Sequence, residues 1–134
     1  MIEKIEKKVA NIMRHYGLGE AEAKVMGALA TRGEMSAKEI SSHTGYAYST
    51  VINTLNFLKR MGMVEKQKRG RTSFYSAEVD FLEMMKEERE RILNIFHELK
   101  EDMNSVKKKS REKMRKLVES VEKSIRYMKH GEGI

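Results

Sequence analysis

The stretch that decides the fold begins Ser36-Ala37-Lys38-Glu39-Ile40. It runs through Gly45-Tyr46-Ala47-Tyr48-Ser49-Thr50-Val51 and ends in the hairpin signal Lys66-Gln67-Lys68-Arg69-Gly70-Arg71-Thr72. Ser36 with Glu39 three residues on is a capping box, in which hydroxyl and carboxylate satisfy each other's orphan amides and start a helix. That helix is expected over residues 37–44, with Ala37, Ile40 and Ser41 inward. Gly45 ends it, because glycine adopts positive φ without strain. A longer helix is expected over 47–61. Val51, Leu55 and Leu58 fall at i, i+4 and i+7 and give it one narrow apolar face. Gly62 stops it. The runs 63–67 and 72–76 then read as two short strands around a glycine turn at 68–71.

Working outward, Ile2, Ile5, Val9, Ile12, Met13 and Tyr16 recur at helical spacing over 2–16. Gly17-Leu18-Gly19 breaks that helix, and a second is expected over 20–31, closed by Gly33. Three helices ahead of a basic hairpin, the last two joined by a glycine turn, are the element order of a winged helix-turn-helix. The fourth helix must fit the major groove, which is wide enough for one α-helix. Its outer face carries Tyr48, Ser49, Ile52, Asn53 and Asn56. Asparagine can pair with adenine through two hydrogen bonds, and isoleucine can meet a thymine methyl. Tyr48 and Ile52 read equally well as partly packed residues. Lys59 and Arg60 suit either DNA phosphates or the helix's own C-terminal dipole. Lys66, Lys68, Arg69 and Arg71 would lie over the DNA backbone or enter a minor groove. The expected DNA-contacting set also takes in Ser36, Tyr46, Ala47 and Thr50.

Charge supports this placement. The chain has 134 residues with 27 Lys+Arg against 20 Asp+Glu, a net +7. Residues 59–71 hold six bases and only Glu65 in opposition, a local +5 that equals the whole excess of residues 1–79. Residues 80–102 carry −4, and residues 103–116 carry +6. A uniformly solvated surface does not usually sort charge this way. The first basic block points to a polyanionic partner, whereas for the second a Lys-rich helix face that keeps the protein soluble reads well. The chain has no Cys, which excludes disulfides, a thiol nucleophile and Cys-ligated zinc. His15, His43, His97 and His130 stand apart, with no metal-ligand spacing, and no metal or cofactor is expected. Glu87, Glu88 and Glu90 form a charged helix face rather than an acid–base pair, so enzyme activity is not expected. No apolar run reaches the roughly 18 residues of a membrane span. The amphipathic start is not a signal peptide, and a cytoplasmic protein is the default expectation.

After residue 79 there is no Gly until Gly131 and no Pro anywhere, which favours long helices. Phe81, Met85, Ile92, Phe96, Leu99, Met103 and Val106 step along a seam, and Met114, Leu117, Val121, Ile125 and Met128 resume it. That heptad-like pattern predicts a dimerisation surface, bent or broken near Asn104-Ser105 where the charge changes sign. The acidic and basic segments can pair within one chain or across a dimer. Met84, Met85, Met103, Met114 and Met128 read as core or seam filler, with an apolar effector pocket as the alternative. The expected organisation is a DNA-binding domain over 1–79, its first helix available to a dimer interface, then a helical dimerisation region over 80–130 and a frayed tail over 131–134. The fold class is mainly α with a small β-hairpin wing.

Gly17-Leu18-Gly19-Glu20-Ala21-Glu22-Ala23-Lys24 resembles the Gly-Leu-Thr-Glu-x-Glu-Ala-Lys opening of the archaeal TrmB-type regulators. Ser36-Ala37-Lys38-Glu39-Ile40 and Gly45-Tyr46-x-x-Ser49-x-Val51 resemble that family's helix-turn-helix. Leu55-x-x-Leu58-x-x-x-Gly62-Met63-Val64 resembles the stretch into its wing, a pattern shared with MarR- and GbsR-like proteins. Gly19 stands in place of the usual capping Thr, and Ala47 where Ser or Pro is common. The resemblance covers about residues 12–77 and implies a sequence-specific, usually dimeric, DNA-binding transcriptional regulator. About 55 residues follow the wing, too few for the family's large sugar-sensing domain, so a short form is expected. Two other readings are an architectural protein that coats DNA and a winged-helix adaptor that binds only protein.

Overall fold

The computed structural model describes residues 1–130. The tail expected over 131–134 lies outside them. The chain divides into two compact units, Met1–Val79 and Asp80–Ile134.

The first unit runs α1 (Ile2–His15), α2 (Glu20–Arg32), β1 (Met35–Ser36), α3 (Ala37–Thr44), α4 (Tyr48–Arg60), β2 (Val64–Arg69) and β3 (Thr72–Ala77). Its three strands form an antiparallel sheet in the order β1-β3-β2. The core gathers Met13 from α1, Val25, Met26 and Leu29 from α2, Ile40 from α3, and Val51, Leu55 and Leu58 from α4. Val64 and Tyr75 close it from the sheet. These are the apolar positions at helical spacing, so burial follows the pattern that makes the helices amphipathic. The backbones of α1 and α2 cross closely at Gly27, where a Cβ would sit 2.8 Å from the Glu6 carbonyl oxygen.

The capping box forms as expected. The Ser36 hydroxyl accepts from the Glu39 amide at 3.2 Å, and the Glu39 carboxylate accepts from the Ser36 amide at 2.9 Å. Gly45 takes the left-handed conformation, φ 80° and ψ 0°, and its amide donates to the Ser41 carbonyl. Gly45 and Tyr46 are tied back to α3. The Ser41 hydroxyl donates to the Tyr46 carbonyl at 2.6 Å, and the Tyr46 amide donates to the Thr44 hydroxyl at 3.3 Å. These bonds set the angle at which α4 leaves the turn.

Some details differ from the expectation, beyond the one-residue differences at the ends of α1 and α2. The hairpin turn is only Gly70-Arg71, because Lys68 and Arg69 remain paired with Ser73 and Thr72. Gly70 has φ +64° and Arg71 a negative φ, the sign pattern of a type II′ turn, which suits the twist of a hairpin. A third strand, β1, joins the sheet. It has two residues, too short for any periodicity to announce it. Helix α4 begins and ends one residue inside the expected span.

The second unit holds α5 (Phe81–Ser105), α6 (Lys108–Lys113) and α7 (Arg115–His130). Asp80 caps α5 by accepting from the Glu83 amide at 3.0 Å. The break falls at Val106-Lys107, and the second stretch is itself divided at Met114. Local polar groups terminate α5: the Ser105 hydroxyl donates to the Asp102 carbonyl, and Arg111 donates to the Asn104 carbonyl. Such bonds offer the backbone an alternative to the helical ladder. Helix α7 packs against α5 within the chain, around Met103, Val121 and Ile125.

Candidate nucleic-acid interface

Helix α4 is held by its buried side, so its other side is free. Val51, Thr54, Leu55 and Leu58 are buried. Ala47, Tyr48, Ser49, Thr50, Asn53, Asn56, Lys59 and Arg60 are exposed, and Ile52 is half-buried. Tyr48 is 57% exposed, which answers for the free chain whether it is packed. Phe57 belongs to this surface as well. It lies four residues after Asn53 and is 36% exposed, and the i, i+4 spacing was its only signal in the sequence. Asparagines in the middle and cations at the C-terminal end give α4 a face that can meet base edges and phosphates.

The expected residues at the entrance to α4 are more committed. Ser36 is 8% exposed, and its hydroxyl serves the capping box. Tyr46 is half-buried with the Lys24 ammonium 5.8 Å from its ring centre. Its backbone amide and carbonyl are both used in the turn.

Alternation along β2 sorts the wing cations by face. Lys66 and Lys68 share the face of Val64, which enters the core. Arg69 lies on the opposite face with Gln67, across from Thr72 and Phe74. Lys66, Lys68, Arg69 and Arg71 are all exposed. Arg69 is engaged. Its Nη1 donates to Glu34 Oε1, its Nη2 donates to Glu34 Oε2 at 3.1 Å, and its guanidinium lies 5.3 Å from the Phe74 ring centre. Glu34, 35 residues away in sequence, was not among the expected site residues.

A second charged cluster steadies the scaffold. Glu6 of α1 accepts from Arg32 Nε at 2.6 Å and lies 2.9 Å from His43 Nε2. Burial pushes the Glu6 carboxyl up, but its bonds to Arg32 and His43 outweigh that and hold it below its ordinary 4.5. A lowered folded value means the unfolded chain binds the extra proton, so stability falls as pH drops from about 4.5 through the folded value. We expect Glu6→Gln to cost about 1 kcal/mol at pH 7. The gap between wild type and variant should close across that acidic window. A gap of constant size in chemical denaturation from about pH 7 to about pH 3 would contradict this.

The residues expected along the dimer seam separate into two groups. Met103, Val121 and Ile125 are buried, with Phe96, Leu99 and Met114 packed against them, so these six, joined by Leu93 and Val118, build the second unit's own core. Met85, Ile92, Val106 and Leu117 stay exposed, and Phe81 and Met128 are half-buried. Leu82 and Ile95 of α5 are exposed too, as are Ile2, Ile5 and Ile12 of α1. Among the described residues no His/Cys/Asp/Glu group could hold a metal, and no helix is long and apolar enough to cross a membrane.

The chain is similar in fold to TrmBL2, described as an archaeal chromatin protein with a novel mode of DNA binding. Identity is 19% and TM-score 0.65, over 86% of this chain and 45% of that one. This chain therefore spans less than half the length of TrmBL2. A second solved structure, described as a transcriptional regulator, matches over 98% of this chain and 95% of its own, at 13% identity and TM-score 0.53. No curated protein matches the sequence. Residues 13–80, just over half of the chain, match the family described as sugar-specific transcriptional regulator TrmB, and the chain belongs to this family of DNA-binding transcriptional regulators.

Proposed function

We propose that the protein acts as a dimer, with α4 of each copy in a major groove and the wing's Lys66, Lys68 and Arg71 on the DNA backbone. One observation carries this reading. The exposed polar face of α4 ends in Lys59 and Arg60 and continues in sequence into the basic hairpin, so the +5 block coincides with the surface that the helix-turn-helix presents. The apolar residues left exposed on α1 and on α5 support a second copy as partner. Burying them would gain roughly 25 cal/mol per Å². Two-fold symmetry would then set recognition helices on half-sites about 34 Å apart. Repression would follow from occluding a promoter.

Lys68→Ala with Arg71→Ala should weaken binding to every duplex alike. It should also flatten the dependence of log K on log salt by about 0.9 for each phosphate no longer neutralised, close to two units for the pair. Fluorescence anisotropy over a salt series reads this directly, and an unchanged slope would remove the wing from the interface.

The likeness in fold to an archaeal chromatin protein favours a second reading, a protein that coats DNA. A footprint separates the two. Discrete, two-fold symmetric protection supports the regulator, and continuous coverage supports coating.

A further inference from the structure

We infer that Arg69 is a positioning residue, strapped to Glu34 so as to fix the direction of the wing, and that it does not itself bind DNA. The inference rests on the wing reading above and refines which of its cations touch phosphate. Arg69 is the last residue of β2 before the two-residue turn and pairs with Thr72 at the closing end of the ladder. Its side chain passes Phe74 on β3 and reaches Glu34, which precedes β1. The strap therefore links the closing end of the hairpin to the segment that leads into the strand at the sheet's other edge.

The chemistry suits a fixed tie. Both terminal nitrogens of the guanidinium meet both carboxylate oxygens, the fork-to-fork arrangement in which arginine is most geometrically specific. The aromatic ring beneath adds a cation–π contact. The Arg69 side chain is 55% exposed, but its charge is matched by Glu34, so it offers a phosphate less than Lys68 or Arg71 does. Its face of the sheet is also opposite to that of Lys66 and Lys68. A tip held in place lets Lys66, Lys68 and Arg71 meet the backbone without first being ordered, which spares an entropic cost of binding.

The test uses the full chain, a fixed duplex and a salt series. Arg69→Ala should weaken binding about 3- to 10-fold at each salt concentration and leave the slope unchanged, since the same phosphates remain neutralised. Arg69→Glu alone should weaken it further, because two carboxylates then face each other. Adding Glu34→Arg to Arg69→Glu should restore binding to within about 3-fold of wild type, since the pair is re-formed with its charges exchanged. A slope reduced by about 0.9 in Arg69→Ala would mean that Arg69 itself neutralises a phosphate and would overturn the strap. So would an exchanged pair no better than Arg69→Glu. The Lys68→Ala, Arg71→Ala variant run alongside keeps the two claims apart. A reduced slope there, with no rescue by the exchanged pair, defeats the strap alone. An unchanged slope there defeats the wing reading and the strap with it.

Discussion

Gly27→Val should lower the stability of the protein by about 3 kcal/mol, at the upper end of what overpacking costs. A Cβ at this position would lie 2.8 Å from the Glu6 carbonyl oxygen and 3.4 Å from the Ala10 Cβ. The nearer obstacle is backbone, which cannot rotate away as a side chain can. Either α1 lifts off α2 or one of the helices bends. Lifting α1 would also draw Glu6 from Arg32 and His43, undoing the tie between α1 and the end of α3. Gly27→Ala is the sharper control. Helix propensity alone makes alanine better than glycine by about 1 kcal/mol. Steric crowding alone makes it worse by about 1 to 3 kcal/mol. Urea denaturation should therefore find Gly27→Ala less stable than wild type. A more stable alanine variant would show that the crossing is looser than the structure has it.

Leu55→Ala should cost about 2 to 5 kcal/mol, the range for emptying a fully buried leucine site. That is a large share of the roughly 5 to 15 kcal/mol that holds a domain together. Leu55 lies between Val51 and Leu58 on the seated side of α4, so the cavity also loosens the helix that carries Asn53 and Asn56. Where the variant remains folded, its preference for a specific site should fall more than its affinity for random duplex. Phosphate contacts tolerate a small tilt of the helix, whereas paired hydrogen bonds to a base edge do not. Thermal denaturation and paired binding assays would show both effects. A Leu55→Ala chain as stable as wild type would contradict the packing described for α4.

Much of the first unit was legible because its signals are local. The Ser36–Glu39 box and Gly45 bracket α3 at Ala37–Thr44, the span the sequence predicted. The i, i+4, i+7 spacing of Val51, Leu55 and Leu58 identified the seated side of α4, and thereby its free side. What escaped depends on partners distant in the chain. Strand β1 exists because Met35 and Ser36 meet Tyr75 and Phe74, and two residues carry no period. The engagement of Arg69 by Glu34 joins positions 35 apart. Read alone, the basic turn gave Arg69 the same role as Arg71. In the second unit the apolar spacing located the helices, but spacing does not say whose helix fills the seam. Phe96, Leu99, Met103, Met114, Val121 and Ile125 pack within the chain. Leu82 and Ile95, off the predicted stripe, are left outward. The break near Val106 came two residues late and was followed by another at Met114, because no Gly or Pro marks either.

The central claim is that the outer face of α4 reads DNA sequence. Selection from random duplexes should enrich a two-fold symmetric site. The decisive quantity is the ratio of affinities for that site and for random duplex, compared between wild type and Asn53→Ala. Asn53 is exposed, so its replacement should leave stability within about 0.5 kcal/mol. We expect the ratio to fall about 10-fold or more while affinity for random duplex stays unchanged, in keeping with roughly 1 to 3 kcal/mol for a side chain that reads a base. An equal weakening on both duplexes, or no enriched site for the wild type, would contradict the claim.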